Sequence, residues 1–193
     1  MEAPMGRALR ADAERSVRVI LEAAERVLAA DPGATLEQIA EAAGVARTTV
    51  HRRFANRQAL LEALTESAER QLAEAIEEAR PDTAPPLVAL HRVTANVLRV
   101  KGAWSFALGH PAAQACTTGT VWAGVNARCL ELFGRAQREG LFHPEADLEW
   151  TRQVYYALIG EALHDARGRD PESLAALVAD TLLHGVGQRP GAV

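Results

Sequence analysis

The chain has 193 residues, 48% of them hydrophobic and 24% charged, with a formal net charge of −4. That length suits one medium domain, or a small domain joined to a larger one, with ample material for a core. No apolar run approaches the roughly 18–20 residues of a membrane-spanning helix, and Met1 to Arg15 lacks the apolar stretch of a secretory leader. Cys116 and Cys129 form neither a disulfide framework nor a CxxC pair, so a cytoplasmic protein without a membrane partner is expected.

Basic residues are twenty arginines and one lysine, Lys101, which reads as the coding bias of a GC-rich genome. Alanine supplies about a fifth of the chain and aromatics only 5%, a balance that favours helix over sheet. Through Arg57 there are nine arginines against eight acidic residues; beyond it, twelve basic against seventeen acidic. The front is nearly neutral and the back acidic, a weak pointer to a nucleic-acid contact at the front.

In chain order, Val17, Ile20, Leu21, Ala24, Val27 and Leu28 recur at the spacing of one buried helix face, with Asp12 as its expected N-cap and Asp31-Pro32-Gly33 as its stop. Thr35 to Gln38 reads as a capping box, and Leu36, Ile39, Ala40 and Ala43 give a second, short helix that ends at Gly44. A third helix begins near Ala46 or Arg47 with Val50 and Phe54 as its buried pair. Asn56 caps a fourth, carried by Leu60, Leu61, Leu64, Ala68, Leu72 and Ile76. Arg80 to Pro86 reads as a linker.

Helices then follow over Leu87 to Leu98 and roughly Thr120 to Glu139, with a short helix or turn at Trp104 to Pro111. Two more are expected over about Asp147 to Arg167 and Pro171 to Val186. No segment alternates with period 2. The expected fold is all-α, with about nine helices.

Thr35 to Phe54 has the length and patterning of a helix-turn-helix. Ala40 is the small residue needed where the two helices approach, and Gly44 tolerates the positive φ of the turn. Val45, Val50 and Phe54 pin the second helix so that Arg47, Thr48, Thr49, His51, Arg52 and Arg53 project outward. Hydroxyls and guanidinium groups are the donors that phosphates and major-groove base edges accept.

The stretch from Thr35 to Thr65 resembles the DNA-binding domain of the tetracycline-repressor (TetR) family of bacterial transcription regulators. The resemblance rests on the I-A-x-x-A-G-V core at Ile39 to Val45, on Thr49-Val50 and Phe54, and on the N-R-x-A-L-L run at Asn56 to Leu61. It is close over roughly residues 12 to 66, and beyond that matches only in layout. It implies that Thr35 meets a phosphate at a helix N-terminus, and that Arg47, Thr48 and Thr49 reach base edges. His51, Arg53 and Arg57 are implied at the DNA backbone, with Arg7, Arg10 and Arg15 adding general attraction. Two positions depart from the pattern: Ala46 replaces the usual hydroxyl cap of the recognition helix, and His51 stands where the family commonly has tyrosine.

The resemblance divides the chain into a DNA-binding domain (1–55), a connecting helix (56–80) and a ligand-binding and dimerisation domain (81–193). The last two helices are apolar over more than one stripe, which suggests homodimerisation through them. Trp104, Phe106, His110, Trp122, Asn126 and Phe133 are the candidates for a small-molecule cavity, being aromatics with a few polar groups. No G-x-S-x-G, G-x-G-x-x-G or H-E-x-x-H occurs. Glu161 and His164 form a single Glu-x-x-His unit where a di-iron bundle needs two. No enzyme, cofactor or metal is expected. The implied function is a ligand-responsive repressor that binds a palindromic operator as a dimer and is released by a small-molecule effector. The alternative is a helical protein of the same fold acting through a protein partner without DNA recognition.

Overall fold

The computed structural model describes residues 4–115, 119–165 and 167–186, and all regular structure among them is helical. Among the described residues there are ten helices: α1 (Pro4–Ala30), α2 (Leu36–Ala42), α3 (Arg47–Arg53), α4 (Arg57–Glu78), α5 (Pro86–Ala103), α6 (Ser105–Gly109), α7 (Pro111–Gln114), α8 (Thr120–Arg138), α9 (Leu148–Ala162) and α10 (Pro171–His184). The expected short element at Trp104 to Pro111 is two helices, which raises the number above nine. The chain divides into two compact units: Met1–Glu69 with Trp104–Thr117, and Arg70–Ala103 with Thr118–Val193.

In the first unit α1 packs on α2 and α6, and α2 on α3. Ile20, Leu21, Ala24 and Leu28 of α1 are buried with Ile39, Val50, Phe54, Leu60 and Leu64. Asp12 is not the N-cap expected of it. The helix starts eight residues earlier, at Pro4, and the Asp12 carbonyl accepts from Ser16 Oγ at 2.8 Å as one more helical turn. A proline in the first turn and the alanine- and arginine-rich residues behind it extend the helix past a good capping residue. At the other end Asp31 Oδ1 accepts from Gly33 N at 2.9 Å, and α1 stops at Ala30 as expected.

Glu25, on α1, is 4% exposed. Its carboxylate accepts from Phe106 N at 2.6 Å and Ala107 N at 3.0 Å, the first free amides of α6, with Ser105 Oγ at 3.4 Å. The residue before α6, Trp104, offers no side-chain cap, so a carboxylate some eighty residues away performs that role. Burial raises the Glu25 pKa above its ordinary 4.5 against the opposing pull of these hydrogen bonds.

The second unit is built from α5, α8, α9 and α10, with α10 packed on α5 and α9, and α8 on α5 and α9. Leu90, Leu98, Leu132, Phe133, Tyr155, Ile159, Leu174 and Val178 form its core. The Phe133 ring stands edge-on to both Phe142 and Tyr155. Thr94 is fully buried and donates to Leu90 O at 2.6 Å, which spends its hydroxyl hydrogen. Tyr155 is therefore the donor in the 2.8 Å contact between the two hydroxyls. Both buried polar groups are satisfied.

The segment from Arg80 to Pro86 is not a solvated linker. Pro81, Ala84 and Pro86 are buried, and Arg135 of α8 donates to Pro81 O at 2.5 Å and Ala84 O at 2.6 Å. Helix α9 ends at Ala162, short of Arg167, because the chain turns through Leu163 and His164 towards the Asp165–Arg169 ion pair (2.6 Å). Asp147 and Asp170 cap α9 and α10 by accepting from the second and third backbone amides beyond them.

Glu25→Ala leaves two buried amides without acceptors and should cost about 1–3 kcal/mol for each, read as a lower urea midpoint of the full chain. Glu25→Gln keeps an acceptor and should lose less. The folded state holds the Glu25 proton more tightly than the unfolded chain does, so this group's stabilisation is complete below pH 4.5 and falls as pH rises through the raised pKa. That fall should be absent from the Gln variant in a pH series of unfolding curves.

Candidate nucleic-acid interface and cavity

The interface is assembled by short-range chemistry. Thr35 Oγ1 accepts from Gln38 N at 3.3 Å, while Gln38 Oε1 accepts from Thr35 N at 2.7 Å, so the expected capping box is formed. After α2, Gly44 takes φ +65° and Val45 N donates back to Ala40 O at 3.1 Å, which turns the chain into α3. Ala46, at the N-cap of α3, makes no side-chain cap. The helix is fixed instead by burial of Val50 and Phe54 and by Asn56 Oδ1, which accepts from Ala59 N at 2.8 Å to start α4.

The opposite face of α3 is open. Arg47, Thr48, His51, Arg52 and Arg53 are exposed, Thr49 is half-buried and Thr35 is exposed at the start of α2. Arg15 is exposed; Arg7 and Arg10 lie on the α1 backbone. Arg57 has a structural task that the sequence does not show: its guanidinium donates to Ala34 O and Pro32 O, both at 2.5 Å, and clamps the loop between α1 and α2 to the first turn of α4.

One acidic residue sits within this basic surface. Glu37 Oε1 lies 2.5 Å from Arg47 Nη2 and 3.6 Å from His51 Nε2, and Arg47 Nε reaches towards His51 Nε2 at 3.5 Å. The carboxyl is held below its ordinary value by its own backbone amide and by the Arg47 charge. Arg47, Glu37 and His51 therefore form a surface triad in which one carboxylate restrains the first basic residue of α3.

The second unit contains a cavity of about 130 Å³ between α4, α5, α8 and α9. Trp122 and Phe133 line it, together with Leu72, Ile76, Val97, Lys101, Cys129 and Tyr155. Asn126 stands behind the wall, where its Oδ1 accepts from the hydroxyl of Tyr156, a lining residue, at 2.9 Å. Trp104, Phe106 and His110 belong to the first unit. There Trp104 and Phe106 are buried, Phe106 stacks on His110 at 4.7 Å, and His110 Nδ1 accepts from Ala112 N to cap α7.

Burial pushes the Cys129 thiol up to about 12, which keeps it protonated and a poor nucleophile at neutral pH. Cys116 lies outside the described residues. Glu161 is exposed, and His164 has left the helix with its Nδ1 against Gly160 O at 2.8 Å.

Loss of the Arg57 clamp should lower stability. Arg57→Ala and Arg57→Lys should both reduce the urea midpoint of the full chain, Ala by about 1–3 kcal/mol, because an ammonium cannot present the two-pronged donor set. A Lys variant as stable as the parent would show that only charge matters there.

Residues 20–64 match the signature of bacterial regulatory proteins of the tetR family. The HTH-type transcriptional repressor LfrR of Mycolicibacterium smegmatis is 35% identical over 159 residues, which is 82% of each chain. The crystal structure of LfrR from Mycobacterium smegmatis in complex with proflavine superimposes with a TM-score of 0.71 at 31% identity, over 91% of this chain and 99% of that one. AibR, solved in complex with isovaleryl coenzyme A and operator DNA, shares the fold at a TM-score of 0.68 and 21% identity, covering 87% of this chain and 98% of its own. With a helix-turn-helix whose outer face is basic and a relative of this identity and coverage, the chain belongs to the TetR family of bacterial transcriptional regulators.

Proposed function

We propose that this regulator is a cytoplasmic homodimeric repressor that binds a palindromic operator and releases it when a small molecule occupies the cavity lined by Trp122 and Phe133. The observation that carries the reading is the outer face of α3, where Arg47, Thr48, His51 and Arg53 lie open and Thr49 is half-buried, beside the capped start of α2. Arg47, Thr48 and Thr49 read base edges; Thr35, His51, Arg53 and the remaining donors of Arg57 hold phosphates. Family membership and the proflavine complex of LfrR support effector control.

Dimerisation is assigned to α9 and α10. Trp150 is 63% exposed, Leu177 45% and Leu163 36%, an unusual outlay of large apolar surface on the two closing helices of the chain. Two-fold pairing would set two copies of α3 about one DNA turn, roughly 34–36 Å, apart.

The chain offers two covalent routes between units. Helix α4 begins in the first unit and continues into the second. Helix α5 ends at Ala103 and runs directly into α6, which Glu25 fastens to α1. An effector that displaces Leu72 and Ile76 of α4, or Val97 and Lys101 of α5, acts on both. A coupling of about 1–3 kcal/mol would weaken operator binding roughly 5- to 150-fold.

Mobility shifts on the DNA flanking the gene, with nonspecific competitor and at two salt concentrations, test the reading. Arg47→Ala and Thr49→Ala should each lower operator affinity while the dimer persists by light scattering; unchanged binding by both removes α3 as the reading helix. Glu37→Gln should have the opposite effect. It frees Arg47 and removes a negative charge from the interface, so low-salt affinity should rise several-fold and the salt slope should steepen by about 1.

A further inference from the structure

The cavity wall carries an asymmetry of charge that bears on what it holds, and the inference rests on the cavity being the effector site proposed above. Two cationic residues line it, Lys101 and Arg128, and no Asp or Glu does. Arg128 is already neutralised: its guanidinium bridges Glu77 and Asp82, the latter at 2.8 Å. Lys101 differs. It is the only lysine in the chain, no described carboxylate pairs with it, and its Nζ faces the ring of Trp122 at 5.6 Å from the centroid. Burial alone drives its pKa down, with no opposing charge to hold the ammonium. A partly desolvated ammonium whose one described neighbour of opposite polarity is an aromatic face is incompletely compensated.

The other polar groups of the wall neither repel an anion nor attract a cation. The Cys129 thiol stays neutral, the Tyr155 hydroxyl hydrogen is committed to Thr94 and that of Tyr156 to Asn126. An ammonium-bearing ligand would meet Lys101 and find no carboxylate. The volume of about 130 Å³ is of the order of the roughly 150 Å³ of an engineered apolar cavity that accepts benzene, room for one six-membered ring. Phe133, Trp122, Tyr155 and Tyr156 supply faces and edges for such a ring.

We propose that the cavity selects a single-ring aromatic monocarboxylate, with its ring among Phe133, Trp122 and Tyr155 and its carboxylate on the Lys101 ammonium. The pairing supplies the charge that burial of Lys101 lacks. Lys101 is thus the residue that sets ligand class, and the aromatic wall sets size.

Titration calorimetry of the full-length protein with benzoate, benzyl alcohol and benzylamine tests this, since the three share a ring and differ in charge. Benzoate should bind at least tenfold more tightly than benzyl alcohol, and benzylamine should bind weakest. Lys101→Met should abolish the preference for benzoate, and Lys101→Arg should retain it, with circular dichroism showing both variants folded. Benzylamine binding as tightly as benzoate, benzoate affinity unchanged in the Met variant, or no binding of any of the three by the wild type would each overturn the assignment. The regulatory reading fails separately: a protein that prefers benzoate but never shifts DNA selectively overturns operator control alone, and one that shifts its operator without a charge preference overturns the ligand class alone.

Discussion

The carboxylate of Glu25 decides where residues 104–115 fold. Helix α6 has five residues and α7 has four, far below the length at which a helix holds itself together in water. They are flanked in sequence by α5 and α8 of the second unit, yet they belong to the first. What fixes them is the pair of amides at the start of α6, which are buried and need an acceptor. Glu25 supplies it, and its own burial is tolerable only because those amides and Ser105 surround it with donors. Remove the pairing and both partners become liabilities. The packing of Trp104, Phe106 and Ala113 follows from that anchor, as does the Thr65 hydroxyl donating to Ala113 O at 3.3 Å.

Arg57 performs the corresponding task at the start of α4. Its two hydrogen bonds to the loop between α1 and α2 hold the segment from which Thr35 launches the capping box. The geometry of α2 and α3 is then a consequence of local rules acting from a fixed origin. Arg57 can be both clamp and backbone contact, since two of its five donors are used here. The basic charge at this position serves folding first, and any phosphate contact is added to it.

What could be read from the sequence divides along sequence separation. The capping box, the Gly44 turn, the Val50–Phe54 pair and the Asn56 cap all connect residues within five positions of one another, and each is legible. The interactions that organise the units are not of that kind: Arg57 spans 23 and 25 residues, Arg135 spans 51 and 54, Thr94 to Tyr155 spans 61, and Glu25 spans 81 and 82. A glutamate on an amphipathic helix gives no sign that it is buried. Asp12 was misread for the opposite reason, because a strong local preference was overridden by helix-forming neighbours on its N-terminal side. Among the ligand candidates, residue type could not separate a cavity wall from an ordinary core. Trp122 and Phe133 line the cavity while Trp104 and Phe106 pack against α1. Lys101 did leave a trace: it is the lone lysine in an arginine-only chain, set among Val97, Leu98 and Val100. Its singularity reads as codon usage, while its apolar neighbours are what agrees with its place on the cavity wall.

The two anchors also bear on how a ligand could be felt by the DNA-binding face. The cavity is lined by Leu72 and Ile76 of α4 and by Val93, Val97 and Lys101 of α5. Those are the helices whose other connections end on Arg57 and on Glu25. A coupling of 1–3 kcal/mol is comparable with or smaller than the cost of breaking either anchor, at about 1–3 kcal/mol for each buried group left unpaired. Helix α4 spans 22 residues, about 33 Å, and its chain runs from the first unit into the second. The cavity lining and the two anchors thus fall in different units, the anchors being the buried Glu25 carboxylate and the half-buried Arg57 guanidinium.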